Sequence, residues 1–287
     1  MMSLFQALGV LAVSAGAAGG APADGTLSYP WRDRTDPDAS IERRIAAPAG
    51  AARVPAAPGS FATWLRGLPL KPGRPPVLLF DGREKANQEA HAAVVDLDTG
   101  DRDLQQCADA VIRLRAEYLF SRGALDAIHF DFTSGDRASY TMWRDGYRPV
   151  VSGNRVTWMR SAAADASYRA FRAYLEKVFQ YAGTRSLARE LAAVPDPADV
   201  RTGDVFVQGG SPGHAVLVVD AAAERGTGRT LFLLAQGYMP AQDVHVLRNP
   251  TDGALSPWYA ADGGETLRTP EWTFRRGDQR RFEGDAP

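Results

Sequence analysis

The 287-residue chain contains a single cysteine, Cys107. One cysteine cannot form an intramolecular disulfide, so the fold has to rest on the packing of its side chains. The chain also has no large excess of either sign of charge. It contains 33 Lys and Arg residues and 34 Asp and Glu residues, which gives a formal net charge of −1. This balance argues against a broad basic surface, so we expect no nucleic-acid partner.

The first 23 residues contain no charged side chain, and residues 4–18 form an apolar run that is too short for a stable membrane anchor. Ala21-Pro22-Ala23 then resembles the small-residue site at which signal peptides are cleaved. The sequence therefore predicts a signal peptide over residues 1–23 and an exported protein, periplasmic or secreted. No later apolar run approaches membrane length, so the mature chain is predicted not to span a membrane.

Residues 24–59 are rich in Pro, Ala, Arg and Asp and have no sustained apolar periodicity. Such a composition is typical of a linker, and we expect this segment to be largely unpacked and open to proteolysis. A single folded domain is then predicted over residues 60–287.

Helical patterns dominate the first part of this domain, and strand patterns dominate the last third. Ser60, Asp103 and Ser167 are suitable N-caps, and a further helix is indicated over residues 186–194. Short apolar runs predict strands at residues 77–80, 92–97, 128–132, 140–143, 156–159, 205–207, 215–219, 231–235, 244–247 and 272–274. This order indicates an α+β fold with a mainly antiparallel sheet.

Cys107 falls in the first turns of the helix predicted after Asp103. A helix N-terminus carries partial positive charge and free amide donors, which lower the pKa of a thiol and bind an oxyanion. The alternative is a structural cysteine, because Cys107 also lies on the apolar stripe of that helix.

His214 opens a predicted strand after the glycine-rich turn Gly209-Gly210-Ser211-Pro212-Gly213. A histidine at the start of a strand is held by the ladder yet close to solvent, which suits a general base. A strand-edge histidine without a catalytic role is the competing interpretation. The four histidines of the chain show no metal-ligand spacing, so we expect neither a metal nor another cofactor.

The run from Gly203-Asp204 through Gly213-His214 to Asp220 resembles the histidine motif of CHAP-type amidases and NlpC-type peptidases. These are papain-like cysteine hydrolases, in which a cysteine opens a helix that packs against an antiparallel sheet. The resemblance implies that fold, with Cys107 as nucleophile, His214 as base and Gln236 as the residue that orients the imidazole. Helix N-terminal amides near Gln106 and Cys107 would form the oxyanion hole. Cys107 and His214 would then lie within hydrogen-bonding reach, with the thiol pKa below about 8.5.

The implied function is an exported cysteine amidohydrolase or peptidase that acts on an amide bond, with a cell-wall (peptidoglycan-like) peptide as substrate. Ala235 and Gly237 stand where the CHAP pattern has an acidic residue and an asparagine. An inactive binding or scaffold protein of the cell envelope with the same fold is therefore the alternative. A third possibility is a structural envelope factor whose tryptophan-rich tail docks a partner.

A broader resemblance extends over most of the chain from Trp64 onward. It is carried by residues 103–110, 213–220, 234–242 and 257–259, and the chain is similar there to an uncharacterised family of bacterial exported proteins known only as a domain of unknown function. This resemblance supports export and a shared site but implies no reaction.

Overall fold

The computed structural model describes residues 27–261 and 264–284. The predicted signal peptide lies outside the described residues. Among the residues that are described, no helix is both long and apolar enough to cross a membrane.

Six α-helices are present in the described ranges: α1 (Ile41–Arg44), α2 (Phe61–Arg66), α3 (Cys107–Ser121), α4 (Tyr140–Arg144), α5 (Tyr168–Tyr181) and α6 (Thr184–Glu190). Short 3-10 helices cover Pro37–Ala39, Gln88–Ala90, Leu125–Ala127 and Arg276–Asp278. Ser60 and Ser167 cap α2 and α5 as predicted, because their hydroxyls accept hydrogen bonds from the amides of Thr63 and Ala170.

The strands of the described ranges are β1 (Ala51–Arg53), β2 (His91–Val94), β3 (His129–Asp131), β4 (Arg137–Ser139), β5 (Tyr147–Ser152), β6 (Arg155–Arg160), β7 (Ala192–Ala193), β8 (Val205–Gln208), β9 (His214–Glu224), β10 (Thr230–Gln236), β11 (His245–Leu247), β12 (Tyr259–Ala260), β13 (Thr266–Arg268), β14 (Thr273–Arg275) and β15 (Gln279–Arg281). Their pairings are antiparallel, in one large sheet and three hairpins. The chain is thus an α+β protein with mostly antiparallel sheets, as predicted.

The large sheet has the order β2-β11-β10-β9-β8-β15-β7. In addition, β1 pairs with the C-terminal end of β9, and β12 pairs with the N-terminal part of β10. In its centre Gln208 pairs with His214, and Gln236 pairs with His245. Four adjacent strands, β8 to β11, therefore bring polar residues to one end of an otherwise apolar sheet.

Both faces of the sheet are covered, which explains why β9 is buried along most of its length. Ala215, Leu217 and Val219 belong to the larger core, which also contains the apolar sides of α3 and α5. Val216 and Val218 belong to a smaller core on the opposite face, with aromatic residues that include Phe206, Phe232 and Phe274. β9 and β10 are therefore held between two apolar cores, one on each face of the sheet.

The prediction of an unpacked linker before Ser60 is wrong for the described part of that segment. Tyr29 and Ile41 are buried in the larger core, and β1 pairs with β9. The indole of Trp258 donates a hydrogen bond to the carbonyl of Ala46 at 2.9 Å. A few large apolar residues anchor the segment, and its alanines pack against a sheet edge. The average composition of the segment does not indicate this packing.

Three local predictions are corrected by the structure. Residues 140–143 form α4 instead of a strand, since Ser139 precedes a helical turn that buries Tyr140 and Trp143. Residues 77–80 make only isolated bridges, at Leu78 and Leu79. Asp103 does not cap α3, because its Oδ1 accepts hydrogen bonds from the Ala241 amide and the Gln106 side chain.

Candidate functional site

Cys107 is the first residue of α3, and Gln106 is the N-cap. The helix starts here because the carboxylate of Asp109 accepts the Gln106 amide at 3.1 Å, which closes the first turn. Cys107 is half-buried, and the amide of Ala215 is close enough to stabilise its thiolate. The thiol therefore lies beside the start of β9.

His214 is the first residue of β9 and is 2 % exposed. Its imidazole is surrounded by the rings of Tyr238, Trp272 and Phe274, with centroids at 4.9, 5.4 and 5.8 Å. These aromatic contacts remove water from the ring and hold its plane.

One cavity of about 380 Å³ is lined by both Cys107 and His214. Gln106, Asp109, Tyr238 and Trp272 also contribute to its wall. The thiol and the imidazole, 107 positions apart in sequence, thus open onto the same space. Within the described residues no hydrogen bond joins the two side chains, so the expected hydrogen bond between them is not formed in this structure.

The hydrogen bond between His214 and Gln236 determines the tautomer of the imidazole. Nε2 of His214 lies 2.8 Å from Oε1 of Gln236, and an amide oxygen only accepts hydrogen bonds. Nε2 therefore carries the proton, and Nδ1 keeps a lone pair. This is the form of histidine that accepts a proton from a nucleophile.

The assignment of the Gln236 oxygen is itself fixed by two acceptors on the other side of the amide. Nε2 of Gln236 donates to Oε2 of Glu271 at 2.8 Å and faces Nε2 of His245 at 3.3 Å. Nδ1 of His245 donates to the carbonyl of Asp243, which leaves its Nε2 as an acceptor. Reversing the Gln236 amide would place its oxygen against a carboxylate and a nitrogen lone pair, so only one orientation satisfies the network.

Lys85 completes this buried network behind the histidine. Its ammonium forms an ion pair with Glu271, and the two side chains are 6 % and 11 % exposed. The same ammonium lies 5.1 Å from the ring centre of Tyr238. Lys85 thus links the carboxylate that orients Gln236 to a ring that contacts His214.

Burial makes both partners of the candidate pair neutral at physiological pH. It lowers the pKa of His214 to about 4, with the Gln236 hydrogen bond opposing this and the charge of Lys85 adding to it. Burial, and secondly the charge of Asp109, raises the pKa of the Cys107 thiol to about 11. The expectation of a thiol pKa below 8.5 is therefore contradicted, because desolvation outweighs the helix-terminal amides.

Asp109 is a further titratable residue of the cavity wall. Burial raises the pKa of its carboxyl to about 8, so the group is largely protonated at neutral pH. It ionises before the thiol does, and the resulting negative charge then opposes ionisation of Cys107. Because the Asp109 carboxyl accepts the Gln106 amide, that amide is already occupied in this structure and is not a free donor for the predicted oxyanion hole.

A match to a protein family covers residues 41–281, with the description "Domain of unknown function (4846)", DUF4846. The chain belongs to the DUF4846 family. This confirms the resemblance to an uncharacterised family and places the matched region around the whole cavity wall. No curated protein and no solved structure matches the chain.

Of the residues of this candidate site, the sequence pointed to Cys107, His214 and Gln236, and the structure brings them to one region. Sequence reasoning missed Lys85 and Glu271, which lie far apart in the chain and in no recognisable motif. It also left Tyr238 without a role at the site. The Gln-Gly-Tyr sequence after β10 was the one available signal for Tyr238. Within the described residues, no three His, Cys, Asp or Glu side chains are grouped to hold a metal.

Proposed function

We propose that this DUF4846 protein is an exported cysteine amidohydrolase with a papain-like site. The observation that carries the proposal is the hydrogen bond between Gln236 Oε1 and His214 Nε2. It leaves Nδ1 as the basic atom of a histidine that shares a cavity with a thiol at a helix N-terminus. Thiol, base, orienting amide and helix-terminal donors are the parts that acyl transfer needs.

In the reaction, the Cys107 sulfur forms a bond to the carbonyl carbon of the substrate amide while Nδ1 of His214 takes the thiol proton. The carbonyl oxygen becomes an oxyanion and accepts hydrogen bonds from the amides of Cys107 and Ala108. The imidazolium then protonates the leaving nitrogen as the C–N bond breaks, which leaves a thioester. Water, deprotonated by the same Nδ1, hydrolyses the thioester and restores the thiol.

The neutral resting pair fits general-base catalysis, in which the proton moves as the sulfur attacks. Separating the charges beforehand is unfavourable, because the pKa of His214 is about 4 and that of Cys107 is about 11. A bound substrate that supplies dipoles and displaces water from the cavity changes the free energy of separating these charges. We therefore expect the thiol to react with a bound acyl group more readily than with a small electrophile.

The substrate we propose is a peptide of the cell wall, which follows from export and from the resemblance to CHAP-type amidases. The wall of the cavity contains Leu104, Phe179, Met239 and Trp272, which suit an extended chain with apolar parts. Incubating the full chain with cell-wall peptide fragments and detecting new amines by mass spectrometry tests the activity. Turnover should be lost in Cys107→Ser and His214→Ala.

A second candidate function is binding without turnover in the same envelope compartment. The raised thiol pKa favours it, because a resting thiol of this kind is a weak nucleophile. If the fragments bind with equal affinity to the unmodified chain and to Cys107→Ser, and no amine is released, the binding role replaces the enzymatic one.

Export is tested by expressing the full chain and determining the N-terminus of the protein recovered outside the cytoplasm. A mature chain that begins at Asp24 supports the proposed signal peptide. Recovery of uncleaved protein from the cytoplasm contradicts it.

A further inference from the structure

Four arginines surround a groove of about 600 Å³ next to the candidate site: Arg185, Arg189, Arg275 and Arg280. Asp278 is the one carboxylate in its wall, and its Oδ2 accepts the backbone amide of Arg275 at 2.8 Å. Within the described residues none of the four guanidinium groups forms an ion pair with a carboxylate. A chain with balanced charge thus has a local excess of positive charge here.

A bound anion would reduce the mutual repulsion of these arginines. Arg185 and Arg189 are exposed and one turn apart on α6, where like charges repel. Arg280 is held in place, because its Nη1 donates to the carbonyls of Gly277 and Gln279, both at 2.8 Å. The groove is therefore a partly preorganised cationic surface, and guanidinium groups bind carboxylates through paired hydrogen bonds.

The arginine groove adjoins the cavity of Cys107 and His214. Gly210 lines both spaces, and Thr184, directly before Arg185, lies in the wall of the cavity. At the boundary, Gln208 of the groove accepts a hydrogen bond at 2.9 Å from the indole of Trp272, which lines the cavity. A Cβ built on Gly209 would lie 3.3 Å from the Arg185 Cα, so α6 lies directly on the connecting turn.

We propose that the arginine groove binds the carboxylates of an acidic peptide whose scissile amide lies at Cys107. This inference rests on the proposed function, because the neighbouring amide chemistry is what favours a peptide over a nucleic acid as the polyanion. The groove would select substrates by charge, and the cavity would supply the reaction.

The test uses the Cys107→Ser chain, which binds without turnover, and a fluorescein-labelled peptide of six glutamates observed by fluorescence anisotropy. We expect Arg185→Gln/Arg189→Gln to weaken binding roughly tenfold, since two charge-assisted contacts are lost. The matched control is Arg155→Gln/Arg160→Gln, which removes two exposed arginines of β5–β6 and should change affinity less than about twofold. A peptide of six glutamines should not bind.

Three results would contradict the proposal that the arginine groove binds an acidic peptide. They are no binding of the glutamate peptide, an equal loss of affinity in the two double variants, and tighter binding of a six-nucleotide thymidylate than of the peptide. The last result would assign the groove to phosphates of a nucleic acid. Binding with the expected variant pattern but no hydrolysis by the unmodified chain keeps the groove and removes the proposed reaction. Hydrolysis of neutral amides without binding of the glutamate peptide keeps the proposed reaction and removes the proposed role of the groove.

Discussion

Nε2 of His214 lies 2.8 Å from Oε1 of Gln236, and this one contact decides which imidazole nitrogen is the base. Replacing Gln236 with Ala removes the acceptor, so the two tautomers become mixed. We expect the rate of amide hydrolysis to fall about tenfold to hundredfold, less than for His214→Ala. Nitrogen-15 spectra of the imidazole should show loss of the single tautomer. An unchanged spectrum in Gln236→Ala would mean that the contact does not set the protonated nitrogen.

Glu271 is expected to act on His214 through Gln236. Glu271→Gln removes the charge that pairs with the buried Lys85, and breaking a buried pair costs about 3 kcal/mol. We therefore expect lower stability in denaturant unfolding, together with a shift of the His214 nitrogen signals. Glu265→Gln, at an exposed position before β13, is the matched control.

The double variant Lys85→Met/Glu271→Gln separates charge from orientation. Removing both charges should recover much of the lost stability, because no unpaired ammonium remains buried. The His214 signals should stay displaced if the Glu271 carboxylate positions the Gln236 amide. Recovery of both properties together would assign the pair a purely structural role.

Gly237 sets the distance between the end of β10 and the start of α3. A Cβ at this position would lie 2.9 Å from the carbonyl oxygen of Gln106 and 3.0 Å from Ala110 Cβ. Gly237→Ala should therefore displace the helix terminus that carries Cys107 and destabilise the fold by about 1–3 kcal/mol. Gly253→Ala meets no atom within 4 Å and is the control for thermal unfolding. Equal melting temperatures for the two variants would contradict this close approach.

Asp109 makes the stability of the protein fall between about pH 4 and pH 8. Its folded-state pKa is about 8 and its ordinary value 3.8, so between these values the native chain keeps a proton that the unfolded chain releases. The stabilisation is complete below about pH 4 and is lost as the pH rises through 8. Asp109→Asn should flatten this decline in urea titrations between pH 5 and 9, whereas Asp101→Asn, at an exposed position, should not.

The α+β class and most elements were predictable because α5, β9 and β10 have strong apolar patterns and clear caps or turns. The packing of residues 27–59 was not, because Tyr29 and Ile41 find their partners only in the tertiary fold. At the site, local motifs indicated Cys107 and His214. Lys85 and Glu271 come from distant loops, and the direction of the thiol pKa depends on burial, which a helix-terminus argument does not include.

The most direct test of the central claim is the rate of Cys107 alkylation by iodoacetamide between pH 3 and 11, in the unmodified chain and in His214→Ala. A base that accepts the thiol proton should give labelling at neutral pH that falls as His214 becomes protonated near pH 4. The variant should then label at least about tenfold more slowly at pH 7. If both chains instead show the same profile, with reactivity rising only towards the thiol pKa of about 11, then Cys107 and His214 do not act together.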